Sequence, residues 1–284
     1  VRIPTIADLS RHHAATRPDR VALIFEDQRL TYGALDRRAN QVANGLLAAG
    51  LRPDARIAQL SKNSPTYFEL LFGGTKSRTV LVPVNFRLAP PEIAFVINDA
   101  KDEILFVGSD FYATIEGIRD QLATVKQVIA LDGGHATWPD YAAWRDAQPA
   151  TDPNLPVEPG DVAVQMYTSG TTGHPKGAQL THNNFMALLP RAIKEWGLWH
   201  DDDVVLVCMP LFHIAGGGWG LVGLFCGVPN LLTREVDPAE ILAAIPKHRI
   251  SKALFVPAVI LFLLQHPACA GTDFSSLDLI AYGA

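Results

Sequence analysis

Between Tyr167 and Gly177 the chain reads YTSGTTGHPKG. The hydroxyls of Thr168, Ser169, Thr171 and Thr172 crowd around Gly170 and Gly173, and Lys176 and Gly177 close the stretch. These residue types can hold a dense negative charge. Glycine lets the backbone come close to an anion and turn without steric cost. Successive N–H groups in such a loop converge on one point. Hydroxyls add donors, lysine adds a positive charge, and Pro175 stiffens the tail. A polyphosphate suits this set. The alternative is a flexible Gly/Thr connector, which sits poorly directly after VAVQMY, an apolar strand-like run beginning at Val162. The expected local order is strand, loop, helix.

The loop is not the Walker A phosphate motif, which needs two glycines five apart and then Lys followed by Ser or Thr. Here Pro175 stands five residues after Gly170, and Gly177 follows Lys176, so an ordinary P-loop ATPase is not implied. His213 in PLFHIAGG is a second candidate, although a lone histidine among apolar residues is more often structural. Gly216, Gly217, Gly218 and Trp219 suit either a pocket floor or a tightly packed helix start. Asp201–Asp203 reads as an exposed acidic turn in preference to a metal site, and no metal ligands are assigned. His182 is expected to support the helix after the loop, His12 and His13 to be solvated, and Ile260–Leu264 to be core.

The positioning elements follow from periodicity. VALIFEDQRLTY reads as a hairpin, after which Thr31 can cap a helix with Leu35, Ala39, Val42 and Leu46 on one face, ended by Gly50 and Pro53. Strand-like runs begin at Ala55, Thr79, Glu103 and Lys126, separated by helical patterns such as SPTYFELLFGG and PPEIAFVIND. Parallel strands need crossovers of about a dozen residues or more. The predicted class is therefore α/β, mostly parallel strands with crossover helices. From Gly133 to Gly160 the periodicity lapses and prolines gather, which suggests a linker or surface excursion. Two subdomains are expected, residues 1–150 and 151–284. Further strands are expected at Val204–Pro210, Ile250–Pro257 and Leu277–Gly283.

Composition narrows the partners. With 24 basic against 29 acidic residues the net charge is −5, which offers no basic surplus for nucleic acid. Three isolated cysteines form neither a disulfide framework nor zinc-ligand spacing and suit a reducing cytoplasm. The start lacks the apolar core of a signal peptide. Ala253–Leu264 is too short to span a membrane, while peripheral membrane contact stays open, as does a homodimer.

YTSGTTGHPKG resembles, at each of its fixed positions, the phosphate-loop signature of the adenylate-forming superfamily of acyl- and aryl-CoA synthetases, luciferases and peptide-synthetase adenylation domains. LTYGALDRRANQVANGLLAAG resembles the family's N-terminal helix, VPVNFRL its next marker and PLFHIAGG its acyl-pocket segment; ALFVPAVI and the terminal YGA also fall in family order. The chain departs from the pattern at TKSRTV, where Arg78 replaces a small residue, and at RPDARIA, which lacks a glycine.

The resemblance implies layered α/β sheets in two intertwined subdomains of the αβαβα type. It also implies a reaction: a carboxylic acid attacks ATP, pyrophosphate leaves, and a thiol, that of coenzyme A, displaces AMP from the acyl-adenylate. ATP, Mg²⁺ and coenzyme A are the implied cofactors. Thr168, Ser169, Gly170, Thr171, Thr172, Gly173, Lys176 and Gly177 would hold the phosphates. His213, with Gly217, Gly283 and Ala284, would face the acid, and Thr168, Lys176 and His213 would carry the chemistry. PLFHIAGGGWG carries no acid to pair with a substrate ammonium, which favours a plain organic acid, fatty or aryl. The chain stops at a strand-to-loop junction. In the family the ribose, magnesium and adenine contacts and a lysine-bearing lid come later, so residues 1–284 alone are expected to be inactive. An ATPase or kinase releasing ADP, or a non-catalytic nucleotide- or acyl-binding module, are the rival readings.

Overall fold

The computed structural model describes residues 3–168, 175–197 and 199–283. After helix α1 (Ile6–Thr16), the expected hairpin forms as β1 (Val21–Phe25) and β2 (Gln28–Thr31). Thr31 then caps α2 (Tyr32–Ala48), its hydroxyl accepting from the Ala34 amide at 3.2 Å. Leu35, Ala39, Val42 and Leu46 are all buried. Alternating elements follow: β3 (Arg56–Leu60), α3 (Thr66–Ser77), β4 (Val80–Pro83), α4 (Pro90–Ala100), β5 (Asp102–Val107), α5 (Tyr112–Ile118) and β6 (Gln127–Ala130). The later part contains α6 (Tyr141–Asp146), β7 (Val162–Thr168), β8 (Lys176–Thr181), α7 (His182–Glu195), β9 (Val205–Val207) and α8 (Ile214–Cys226). It ends with β10 (Asn230–Leu232), α9 (Pro238–His248), β11 (Lys252–Phe255), α10 (Pro257–Gln265) and β12 (Leu279–Tyr282).

Two six-stranded sheets result, ordered β12-β11-β9-β10-β1-β2 and β6-β5-β3-β4-β7-β8. The edge hairpins β1–β2 and β7–β8 are antiparallel, and the other pairings are parallel. The chain interleaves them. The early β1 and β2 join the sheet of β9 to β12, while β7 and β8 join that of β3 to β6. Helix α3 lies in the central cluster, which draws on both sheets through Leu23, Ile57, Val164 and Val205; its residues from Tyr67 to Ser77 are buried. Helices α4 and α5 cover the outer face of one sheet, and α9 and α10 that of the other. The layered αβαβα architecture is the one anticipated.

Several local expectations fail. β8 and β10 are present where no strand was expected: β10 is only three residues long, and the exposed pattern of β8 does not alternate as a half-buried strand would. Of the two readings of residues 133–160, the surface excursion holds and the linker does not: the segment is largely exposed, but α6 buries Tyr141 and Arg145 against Glu69, at 2.8 and 2.9 Å. His13 is buried, not solvated, and shares a hydrogen bond with the Phe225 carbonyl at 3.2 Å. Asp203 is buried within the acidic turn and accepts from Ser251 at 2.7 Å. In α10 only Val259 and Leu263 are buried, while Leu261, Phe262 and Leu264 are more than half exposed. The two sequence departures have structural answers. Arg78 takes the left-handed C-cap of α3 (φ 61°) and its guanidinium reaches both oxygens of Asp161 at 3.0 and 3.2 Å. Asp54 occupies a left-handed turn (φ 69°), a conformation aspartate tolerates better than most residues.

Candidate active site

The glycine-rich segment connects two antiparallel strands. The expected strand–loop–helix order is thus corrected: β8 intervenes, and α7 begins only at His182, so no helix N-terminus follows the loop directly. Register pairs Thr168 with Lys176 and Tyr167 with Gly177. Thr168 and Lys176 are therefore cross-strand neighbours at the loop end of the hairpin, a spacing of about 5 Å between Cβ atoms, and both are exposed. Ser169, Gly170, Thr171, Thr172 and Gly173 lie outside the described residues, as does Ala284.

Gly177 has a packing reason. A Cβ there would stand 2.4 Å from Gln165 Nε2 and 2.9 Å from the Tyr167 ring. Its absence lets Tyr167 fold back, donating to Asp99 at 2.5 Å and accepting from Gln165 at 3.1 Å. Burial and the Asp99 carboxylate push the Tyr167 phenol up, so the hydroxyl is neutral and acts as a donor.

His213 is the N-cap of α8. Its Nδ1 accepts from the Ala215 amide at 3.3 Å, so Nε2 carries the proton of the neutral ring and is the atom able to donate outward. The ring is exposed and borders two cavities. The smaller, of about 290 Å³, lies beneath the β7–β8 hairpin among Thr168, Leu180, Phe185, Leu188 and Phe212. The larger, of about 700 Å³, lies between the end of α7, the start of α8 and the last residues of β11 and β12, reaching Gly283. His213 and Ile214 line both.

Gly217 is not brought to either cavity. It faces the core, where a Cβ would meet the Tyr67 hydroxyl at 2.5 Å and the Leu211 carbonyl at 2.9 Å. Gly216, Gly220 and Gly223 likewise admit Pro210, Phe68 and Asn230 against the helix. The glycines of α8 are packing residues. Gly283 differs, since a Cβ there would meet nothing within 4 Å; its small size keeps cavity space open. Phe185, Leu188 and Trp196 escaped the reading of the sequence. The alternation of Phe185, Leu188–Leu189 and Ala192 along α7 was the available signal, and it could not tell a core-facing stripe from a cavity wall.

Among the described residues no group of three or more His, Cys, Asp or Glu is arranged to hold a metal ion. None of their helices is long and apolar enough to cross a membrane. His182, buried, accepts from the Ile6 amide on Nδ1 at 3.2 Å and is a structural residue, as anticipated.

The chain belongs to the AMP-binding enzyme family, whose model matches residues 10–284. It is 35% identical, over 99% of its length, to the fatty acid–[acyl-carrier-protein] ligase ScoC of Streptomyces coeruleorubidus, of which it covers 54%. It is 34% identical over 98% of its length to a feruloyl-CoA synthase of an Amycolatopsis species, covering 52% of that protein. The inhibitor-bound N-terminal domain of FACL13 from Mycobacterium tuberculosis superposes with a TM-score of 0.91 at 28% identity, covering 99% of this chain and 70% of that one. The chain spans about half the length of the curated relatives it matches.

Proposed function

We propose that the protein activates a carboxylic acid with ATP, releasing pyrophosphate and forming an acyl-adenylate, which the thiol of coenzyme A then converts to a thioester. The observation that carries the proposal is the position of His213, on the shared wall of a cavity bordered by the hairpin and a cavity bordered by β12. A reaction between a phosphate and an organic acid needs a group that reaches both, and His213 lines one cavity with Thr168 and the other with Gly283. Thr168 supplies a hydroxyl and Lys176 a positive charge where the departing phosphates gather charge, so catalysis rests on positioning and electrostatic stabilisation. His213 Nε2–H, at the junction, donates to an oxygen of the carboxylate or of the α-phosphate. Gly283 leaves room for the body of the acid. Mg²⁺, when bound with ATP, would supply positive charge to the phosphates beside Thr168 and Lys176.

The relatives support this reading by their kind: acid ligases acting on fatty, feruloyl and related acids. The test is acid-dependent ATP–pyrophosphate exchange with a panel of carboxylic acids, measured on these residues within the complete chain; residues 1–284 alone are expected to show none, and exchange by them would overturn that expectation. Lys176→Ala is expected to lower the exchange rate by about a hundredfold, the cost of removing one preorganised charge stabiliser, without unfolding the protein. ADP as the product would point to an ATPase or kinase. ATP binding with no adenylate from any acid would leave a binding module.

A further inference from the structure

The larger cavity has one rigid wall. Apart from His213, Glu195 and the Tyr282 hydroxyl, its described lining is apolar, and several of its members are small, including Gly197, Ala215 and Ala281. Trp196 is the largest side chain of that lining. It follows the last turn of α7 as its C-cap, and its ring lies 5.5 Å from that of Trp219, tilted by 53°. Trp219 is 2% exposed and donates from Nε1 to the Leu206 carbonyl at 2.9 Å, which ties it to β9. Trp199 stands 6.0 Å from the same ring. An indole backed by a fixed second indole cannot swing into the core, because interiors are close-packed and displacing a ring costs neighbouring contacts.

We propose that Trp196 sets the length of acid the protein accepts, and that the substrate is a compact apolar carboxylic acid whose body ends against this indole, not a long straight-chain acid. The inference rests on the acid-activation reading and adds the determinant of substrate size. His213 holds the reactive end of the acid, and Trp196 meets its tail. Glu195, beside it, is exposed and borders the opening, where a charged tail would be solvated and not sequestered.

Calorimetric titration with straight-chain carboxylic acids tests the wall without requiring turnover. In the wild-type protein each added methylene should raise affinity about fourfold until the tail reaches Trp196, after which the gain stops. Trp196→Ala should extend that rise by about two to four further carbons, the space freed by an indole. Trp196→Phe keeps an aromatic face on Trp219 and should extend it by about one carbon, so the shift stays readable if the alanine variant unfolds. Superimposable length profiles for wild type and Trp196→Phe, with Trp196→Ala folded and also unchanged, overturn the proposal. So does the absence of binding by any acid in the series. Pyrophosphate exchange on the same panel separates the two layers. With exchange measured on these residues within the complete chain, a shifted binding profile without exchange in any variant overturns acid activation and upholds the wall; exchange with an unmoved profile overturns the wall alone.

Discussion

Lys76 and Lys176 carry the same charge to opposite ends. Lys76 is fully buried on α3, its ammonium 2.6 Å from Asp36, 2.6 Å from Asn40 and 3.0 Å from Asp152. Asp152 also accepts two hydrogen bonds from Arg11, at 2.7 and 3.0 Å, so one cluster joins α1, α2, α3 and the segment after α6. The Arg11 and Lys76 cations outweigh burial and hold the Asp152 carboxyl well below the usual range. Lys176, at the loop end of the hairpin, is exposed, and among the described residues no ion pair engages it. A buried charge is tolerable only when its partners replace water, and it then fixes geometry. An exposed one stays available to a ligand. The chain thus separates charges that hold the fold from charges that could do chemistry.

The sharpest way to break this contrast is to remove Lys76. Lys76→Ala leaves Asp36 and Asp152 with a buried deficit and is expected to destabilise the protein by about 3–5 kcal/mol, read as a fall in the urea midpoint.

Acid should separate the regions next. Burial lowers His13 and His182 from 6.5 to about 4. A proton on His13 Nδ1 would find no acceptor there, and one on His182 Nδ1 would break the Ile6 hydrogen bond. Below 6.5 the unfolded chain binds protons that the folded chain refuses. Their stabilisation is therefore complete above pH 6.5 and is lost as pH falls toward 4, by up to about 3 kcal/mol for each. Asp152, depressed, begins to cost stability only below its ordinary value of 3.8. A melting temperature that stays flat between pH 6.5 and 4.5 would contradict the buried histidines.

A smaller effect is expected at Gly220, where a Cβ would stand 2.5 Å from the buried Phe68 ring. Gly220→Ala should cost about 1–3 kcal/mol through overpacking, offset in part by alanine's better helix propensity; thermal unfolding reads the difference. Lys176→Ala comes last, changing stability by less than about 0.5 kcal/mol while lowering exchange as described above. A large loss of stability there would mean that Lys176 belongs to the fold and not to the site.

Much of the fold was legible because its signals are local. Thr31 capping a helix with Leu35, Ala39, Val42 and Leu46 inward, and apolar runs spaced for crossovers, each need only neighbouring residues to be read. β8 was not legible, since its exposed edge lacks alternation and the preceding loop suggested a helix. α6 was hidden within a proline-rich stretch because Tyr141 and Arg145 are held by Glu69, some seventy residues earlier. At the site, Thr168, Lys176 and His213 were named from motif and type. Gly217 was placed in the pocket because glycine near a candidate histidine reads alike whether it borders a ligand or a Tyr67 hydroxyl.

The sequence by itself determined the α/β class and the family, since periodicity and an eleven-residue motif are properties of contiguous chain. Only the tertiary structure decided which glycines pack and which leave space, which histidines are sealed from protons, and that Trp196, backed by the buried Trp219, lines the larger cavity. Those outcomes depend on which distant surfaces meet, and close packing fixes them residue by residue.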